Sequence, residues 1–468
     1  MNKLKKNGYT AGEPMDSTKK KAIKKELYKS LCIIALPIVI QNLIGNSLII
    51  VDTVMISTLG EASVAAVGIA GRLQFLFVLI TFGFYSGAGI FIAQFYGSGD
   101  HGRIKATMAI QLMLGLMSSA VFMTVALIFP RWYMNIFSND PQVVTLGIKY
   151  MKYFGWGFAL HAVSQAYVIS LRSMRDSVYP MYTSIVALMV NTFLNYGLIF
   201  GNFGMPKLGV EGAAIATTIA RFIEAGFMLY SVYFGSRDIL RAGLRDFRKI
   251  EKAYVKKYFH IALPVIFNEG LWGLGTVMLS VAYARLGTQA VAASQVASTI
   301  SDLMLVLAFG LASSAGTILG NKLGEGDLDV AVMYSRIIMV MSFAVGAITS
   351  IGLLLFIPLV PVFFKLGAQS VRDIGKILVV KAIFSPLITF NWTNIIGILR
   401  SGGDTVAGLV LDIAPLWLVA VPLTFFGAVH FGWPIYVVIF AGSMEEVIKF
   451  IFGMTRTLKN KWVRNITF

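Results

Sequence analysis

Apolar residues fill this chain in long runs separated by short polar segments. The runs fall at 31–57, 62–96, 106–130, 151–171, 180–201, 210–235, 260–285, 289–320, 333–358, 376–399, 405–428 and 434–454. Each is about 20 residues or longer, the length a helix needs to cross roughly 30 Å of hydrocarbon. The alternating segments of about 10 residues that mark a membrane β-barrel are absent from the sequence. The pattern therefore predicts an all-α polytopic membrane protein with about twelve transmembrane helices.

The pattern also repeats. Leu36-Pro37 to Asp100 lies over Leu263-Pro264 to Asp327 without a gap. Leu59-Gly60 then falls on Leu286-Gly287, Phe82-Gly83 on Phe309-Gly310, and Ala88-Gly89 on Ala315-Gly316. Gly97, Gly99 and Asp100 fall on Gly324, Gly326 and Asp327. The shift, about 227 residues, is close to half the chain and far longer than a solenoid repeat. Six spans per half predict two parallel six-helix lobes related by a pseudo-twofold along the membrane normal, with substrate between them near the midplane. The expected division is a basic tail at 1–30, an N-lobe at 31–235, a basic linker at 236–259, a C-lobe at 260–454 and a tail at 455–468. Glycines at Gly83, Gly87, Gly89, Gly310 and Gly316 form small faces that would let helices pack closely.

Charge fixes the orientation. Only 13% of residues are charged, yet the formal net charge is +17, so the basic residues must be concentrated. They stand at Lys19, Lys20, Lys21, Lys24, Lys25 and Lys29, then at Arg237, Arg241, Arg245, Arg248, Lys249, Lys252, Lys256 and Lys257, and finally at Arg456, Lys459, Lys461 and Arg464. An even number of spans per half puts all three segments on one side, which the positive-inside rule makes the cytoplasm. Arg241, Arg245 and Lys249 share a face of the linker, which fits a connector lying under anionic headgroups rather than a nucleic-acid site. A multi-pass protein of the cell membrane with both termini cytoplasmic is expected. The single Cys32 says nothing of redox compartment, and no small-residue cleavage site follows the first apolar run, which reads as an uncleaved span.

Chemistry is sought among polar groups inside the spans, since an ionised carboxylate at the middle of a span costs about 2.5–3.5 kcal/mol to insert. A partner, a wet cavity, a bound cation or a proton must offset that cost. Asp52 stands in the first span with no basic residue within a few turns, and Gln41, Asn42 and Asn46 give the same helix a polar side. Asn191 and Asn195, one turn apart in the fifth span, could complete an oxygen-rich pocket for a proton or Na⁺, or could simply hydrogen-bond between helices. Glu269, beside Asn268 in the seventh span, is the second candidate; a structural ion pair is its alternative. Asp302 and Asp412 are unpaired by sequence, and Asn391 and Asn394 could face either. Arg221 with Glu224, and Glu445 or Glu446 with Lys449, are spaced to neutralise one another.

Enzyme readings find little footing. His101, His161, His260 and His430 are scattered, no metal-ligand spacing occurs, and no nucleophile elbow or phosphate loop is present, so no metal and no cofactor is expected. Trp156, Trp272 and Trp392, with Phe158 and Tyr167, could line a cavity for cationic compounds by cation–π contact or could face lipid.

With these residues in hand, the chain resembles the multidrug and toxic compound extrusion (MATE) family, in its bacterial NorM-like form, over nearly its whole length. The resemblance rests on Ala35-Leu36-Pro37, Val51-Asp52-Thr53-Val54-Met55, Ala93-Gln94-Phe95-Tyr96-Gly97, Leu171-Arg172-Ser173, Asn191 to Gly201, Gly209 to Thr217, and Leu399 to Thr405. It implies a V-shaped pair of six-helix lobes, acting as a monomer, that exports organic cations in exchange for Na⁺ or H⁺. It implies a coupling carboxylate at Asp52 and a C-lobe cation site at Glu269. The chain departs from the family where Asn195 stands in place of an aspartate found in one branch. It departs again where Thr389 takes the place of a tenth-span aspartate of the NorM-like branch. The nearest rival is a flippase for lipid-linked precursors from the same superfamily, which would need a more basic cavity than these acidic spans suggest. A sugar carrier of the major facilitator type would need a different loop from Gly97-Ser-Gly-Asp100-His-Gly-Arg103.

Overall fold

The computed structural model describes residues 17–243, 251–364 and 367–467, with side chains from Lys21 onward. Residues 1–16 of the basic tail, and Arg245, Arg248 and Lys249 of the linker, lie outside the described residues, as do the side chains of Lys19 and Lys20. Every regular element among the described residues is helical. In the first half these are α1 (Ser17–Ser57), α2 (Glu61–Ser98), α3 (His101–Leu127), α4 (Pro130–Phe137), α5 (Pro141–Phe154), α6 (Gly157–Ser173), α7 (Val178–Phe200) and α8 (Val210–Tyr233). The second half continues with α9 (Lys252–Ala284), α10 (Thr288–Glu325), α11 (Leu328–Phe356), α12 (Val360–Phe363), α13 (Ala368–Trp392), α14 (Thr405–Pro415), α15 (Val421–Phe425), α16 (Ile435–Gly442) and α17 (Met444–Leu458). Nine described helical stretches are each long and apolar enough to cross a bilayer. The fourth apolar run is divided between α5 and α6 by a break at Gly155-Trp156, and the last between α16 and α17 at Ser443.

Proline explains several irregularities. Pro37 and Pro264, equivalent in the duplication, lie inside α1 and α9, where each lacks the N–H that would close a turn. In the second half the backbone opens into π-helix at Thr393–Leu399, Leu416–Ala420 and Phe426–His430. Pro415 and Pro422 flank the segment Leu416–Ala420, where the missing donor of Pro422 favours slippage of the ladder by one residue.

The described chain divides into two compact units. One comprises the residues up to Val39, Ala93–Gly99 and the chain from Leu263 onward; the other comprises Ile40–Ile92 and Asp100–Ala262. The division therefore does not follow the two sequence halves, because the start of α1 and the end of α2 group with the second half. The core of the second unit joins Phe77, Phe158, Tyr133 and Met134 with Ala66, Ala70, Ala213 and Ala214. The first unit holds one core around Leu27, Leu31, Ile34, Leu319, Tyr334, Phe390 and Trp462, and another around Ile300, Leu353, Ile374, Ile377 and Phe384.

Within the first unit the duplication becomes a contact. A Cβ on Gly97 would overlap the Asn321 carbonyl oxygen, and one on Gly324 would overlap the Gln94 carbonyl oxygen. Gly97 and Gly324 are repeat equivalents, as are Gln94 and Asn321, so the ends of α2 and α10 meet reciprocally, each glycine seated on the other helix's backbone. The Asn321 amide donates to the Ala93 carbonyl at 2.8 Å. Gln94, fully buried, donates to the carbonyls of Ser401 (2.7 Å) and Arg464 (3.1 Å) and accepts from the Ile466 N–H (2.7 Å). The C-terminal segment, anchored by the buried Trp462, is thereby tied to the end of α2. The expected packing role of small residues is also seen at Gly87, where an added Cβ would lie 2.7 Å from the Cβ of Ala262.

Candidate functional site

The second unit contains a cavity of about 420 Å³ with Asp52 on its wall. Its lining comes from α1 (Leu48, Ile49, Asp52, Thr53, Ile56), α2 (Val64, Val67, Gly68, Gly71, Gln74, Val78), α5 and α6 (Tyr150, Phe154, Gly157, His161) and α8 (Ala213, Thr217, Arg221). Asn195 of α7 supports the carboxylate from behind. Its amide Nδ2 donates both to Asp52 Oδ1 and, at 2.9 Å, to Asn191 Oδ1. Asn191 in turn donates to Thr217 Oγ1 at 3.3 Å. Both partners of Asn195 Nδ2 are acceptors, which fixes the amide orientation, and Asn195 Oδ1 is left buried without a hydrogen-bond partner. Both asparagines are fully buried, Asp52 is half-buried, and no Lys or Arg among the described residues lies within ion-pair distance of Asp52. A carboxylate so placed, with a spare buried oxygen beside it, can take up a proton or a small cation from the cavity.

Gln41 belongs to a separate group. It is on the same face of α1 as Asp52, but 11 residues span about 16 Å of helix, three turns away. There its Nε2 donates to Ser184 Oγ (2.8 Å) and to the Pro180 carbonyl (3.2 Å), and its Oε1 accepts from Arg172 Nη2. Ser184 donates to Glu224 Oε1 at 3.2 Å, and Glu224 Oε2 pairs with Arg221 Nη1 at 2.9 Å, the pairing expected from their spacing. Asn42 Nδ2 is buried without a partner, Asn46 is half-buried, and neither lines the Asp52 cavity.

The first unit repeats this second group with charges added. Glu269 Oε1 accepts from Arg400 Nη2 at 2.8 Å; Arg400 is 4% exposed and Glu269 13%. Arg172 and Arg400 are equivalent through the recurring Leu-Arg-Ser, but Gln41 lies over Asn268, so the arginine of the second half meets the next residue along the helix, Glu269. Gln41–Ser184 and Asn268–Asp412, at separations of 143 and 144, are a second matched pair. Asn268 Nδ2 donates to Asp412 Oδ2 at 2.7 Å, and Lys449 Nζ lies 2.9 Å from Asp412 and 3.2 Å from Glu445.

These contacts supply the ion pair left open for Glu269 and correct two expectations, for Asp412 and for Asn391 with Asn394. Glu269 is held by Arg400, and Asp412, unpaired by sequence, is held by Lys449. Asn391 and Asn394 face neither aspartate: Asn391 donates to Glu446 Oε2 (2.7 Å) and to the Glu446 carbonyl (2.9 Å), while Asn394 accepts from Thr457. They fasten the end of α13 and its π-helical extension to α17. Asp302 is exposed and stands outside these groups.

The predicted aromatic contacts also move. Trp156 is exposed, Trp272 packs beside Leu416 and Ala420, and Trp392 is half-buried; none lines the Asp52 cavity. Phe158 and Tyr167 are buried in the core. Tyr150 and Phe154, stacked with ring centroids 5.0 Å apart, take the lining role with His161, whose Nδ1 is buried without a partner. Tyr150 and Phe154 stand one turn apart on α5, and Gly157 and His161 one turn apart on α6, so each pair shares a helix face.

Long apolar helices, a duplicated scaffold and an intramembrane carboxylate opening into an apolar-walled cavity define a multi-pass membrane transporter. Comparison with known proteins gives the family. The MatE family model matches residues 37–197 and again 264–426, once per half, and the chain belongs to that family. It is 26% identical over 420 residues to the probable multidrug resistance protein YoeA of Bacillus subtilis (strain 168), covering 89% of this chain and 90% of the relative. It is 25% identical over 415 residues to the probable multidrug resistance protein NorM of Thermotoga maritima, covering 86% and 85%. Its fold matches an outward-facing multidrug resistance MATE family transporter of the MOP superfamily, with a TM-score of 0.83 at 20% identity, over 96% of this chain and all of that one. A MOP superfamily transporter from Pyrococcus furiosus, described as having a binding pocket of reversed polarity, matches equally well, with a TM-score of 0.83 at 20% identity over 96% of this chain and all of that one.

Proposed function

We propose that this transporter is an antiporter that exports organic, amphipathic cations in exchange for Na⁺ or H⁺, with Asp52 as the residue that couples the two. The observation that carries the reading is the Asp52 carboxylate on the wall of a cavity otherwise lined mainly by apolar side chains and glycines. An amphipathic cation gains there from apolar burial, from the faces of Tyr150 and Phe154, and from the negative charge. When Na⁺ or H⁺ occupies Asp52, that charge is cancelled and the cation is released. Alternating access of the two lobes makes the exchange vectorial, since the ion returns inward as the compound leaves. The termini are assigned to the cytoplasm by their basic residues. The names of relatives such as YoeA and NorM support the multidrug substrate class.

Glu269 takes the second place in this scheme, acting through its pair with Arg400. The flippase alternative is favoured by one observation, Arg221 on the cavity wall, which could meet a phosphate. Its charge is already engaged by Glu224 at 2.9 Å, which favours the cation reading. The test is Asp52→Asn in reconstituted vesicles: ion-driven export of a monocationic dye should fall at least tenfold with insertion unchanged. Undiminished export by the variant, or transport of lipid-linked phosphates in place of the dye, would overturn the reading.

A further inference from the structure

A second cavity, of about 570 Å³, lies in the first unit where α14 packs on α17. It is remote from Asp52 in sequence and belongs to the other unit. At one end stand four basic side chains, Arg456, Lys459, Lys461 and Arg464, against a single carboxylate, Asp404. Asp404 is already saturated: Arg456 grips it with Nε at 2.6 Å and Nη2 at 2.9 Å, and Arg464 Nη2 lies at 3.5 Å. That leaves a local excess of three positive charges. Lys459 and Lys461 are exposed and have no ion-pair partner among the described residues, and Arg464 Nε is buried without a hydrogen-bond partner.

The other end of the cavity is apolar. Val406 and Val410, one turn apart on α14, and Phe452 on α17 line it and are 54%, 57% and 61% exposed. Asp404 immediately precedes the membrane-crossing stretch Thr405–His430, so the basic end sits at the level where hydrocarbon gives way to headgroups, and the valines run into the hydrocarbon. The basic end is also held in place: the buried Trp462 and the contacts of Gln94 with Arg464 and Ile466 fix the segment that carries Lys461 and Arg464.

We propose that this groove is a binding site for an anionic glycerophospholipid, whose phosphate is held by Lys459, Lys461 and Arg464 and whose acyl chain lies along Val406, Val410 and Phe452. A soluble anion would use the basic end alone, and a zwitterionic lipid the apolar end without the excess charge. Only an anionic lipid satisfies both. Basic groups at a membrane interface of this kind bind acidic headgroups with a strength that grows about fivefold per residue. The site does not depend on the transport reading. Its bound lipid would steady the C-terminal segment that clasps Gln94.

The test is lipid binding to the purified full-length protein in neutral detergent, followed by native mass spectrometry. Wild type should retain phosphatidylglycerol in preference to phosphatidylcholine. Lys459→Gln/Lys461→Gln should weaken that retention about thirtyfold, and Val410→Trp, which fills the apolar end from an exposed position, should weaken it too. A charge-matched control, Lys21→Gln/Lys24→Gln, should bind as wild type. Equal retention of the two lipids, wild-type binding by both groove variants, or displacement of phosphatidylglycerol by millimolar inorganic phosphate would overturn the proposal.

Discussion

The pair Glu269–Arg400 allows a quantitative test of how the second half carries charge inside a membrane. The two atoms are 2.8 Å apart and both side chains are largely buried. At an effective dielectric of about 20 such a contact has a Coulomb energy of roughly 6 kcal/mol, set against the desolvation of both ions. Removing one partner leaves the other buried and unpaired, which costs about 3–5 kcal/mol. Arg400→Gln and Glu269→Gln should therefore each destabilise the protein by about that amount in reversible unfolding from mixed micelles. The double variant replaces the ion pair by two neutral amides and should lose only about 1–2 kcal/mol, because replacing a whole buried pair is often close to neutral. Export should be poor in either single variant and stay poor in the double one, whose stability recovers but which lacks the Glu269 carboxylate. If the double variant's loss equals the sum of the single losses within about 0.5 kcal/mol, the pair is not coupled and the reasoning fails.

Two further predictions concern the crossing of α2 and α10. Gly97→Ala and Gly324→Ala each place a methyl group on a backbone carbonyl of the other helix, and each should cost about 1–3 kcal/mol in the same unfolding assay; wild-type stability in both would show that the helices separate freely there. Gln94→Leu removes three buried hydrogen bonds, so it should cost about 1–3 kcal/mol and expose the segment after Trp462 to limited proteolysis. Unchanged proteolysis would show that Gln94 does not hold that segment.

Much of the scaffold was legible because its causes are local or repeated. Hydrocarbon thickness sets the length of each apolar run, and Pro37 with Pro264, and Gly97 with Gly324, register the two halves on one another. Ion pairs one helical turn apart, Arg221–Glu224 and Glu445–Lys449, could be read from spacing alone. The pairs that matter most to the polar interior could not. Glu269 meets Arg400 across 131 residues and Asn268 meets Asp412 across 144, and such contacts depend on helix rotation, which no local rule supplies. Their trace was nevertheless present, since Leu171-Arg172-Ser173 recurs as Leu399-Arg400-Ser401, and a buried arginine demands a partner. Gln41 and Asp52 share a face of α1, but the axial rise separates them by about 16 Å, which a helical period alone does not reveal. The aromatic wall of the cavity is Tyr150 and Phe154, marked in the sequence only by their spacing of one turn, and not the tryptophans.

The central claim is that ion occupancy at Asp52 drives export. It is tested most directly by loading vesicles that contain the wild-type protein or Asp52→Asn with a monocationic dye and imposing Na⁺ and H⁺ gradients separately. Export by the wild type should accelerate under one of the two gradients and not the other, and the Asp52→Asn variant should respond to neither while remaining inserted. A wild type indifferent to both gradients, or a variant accelerated as strongly as the wild type, would contradict the account.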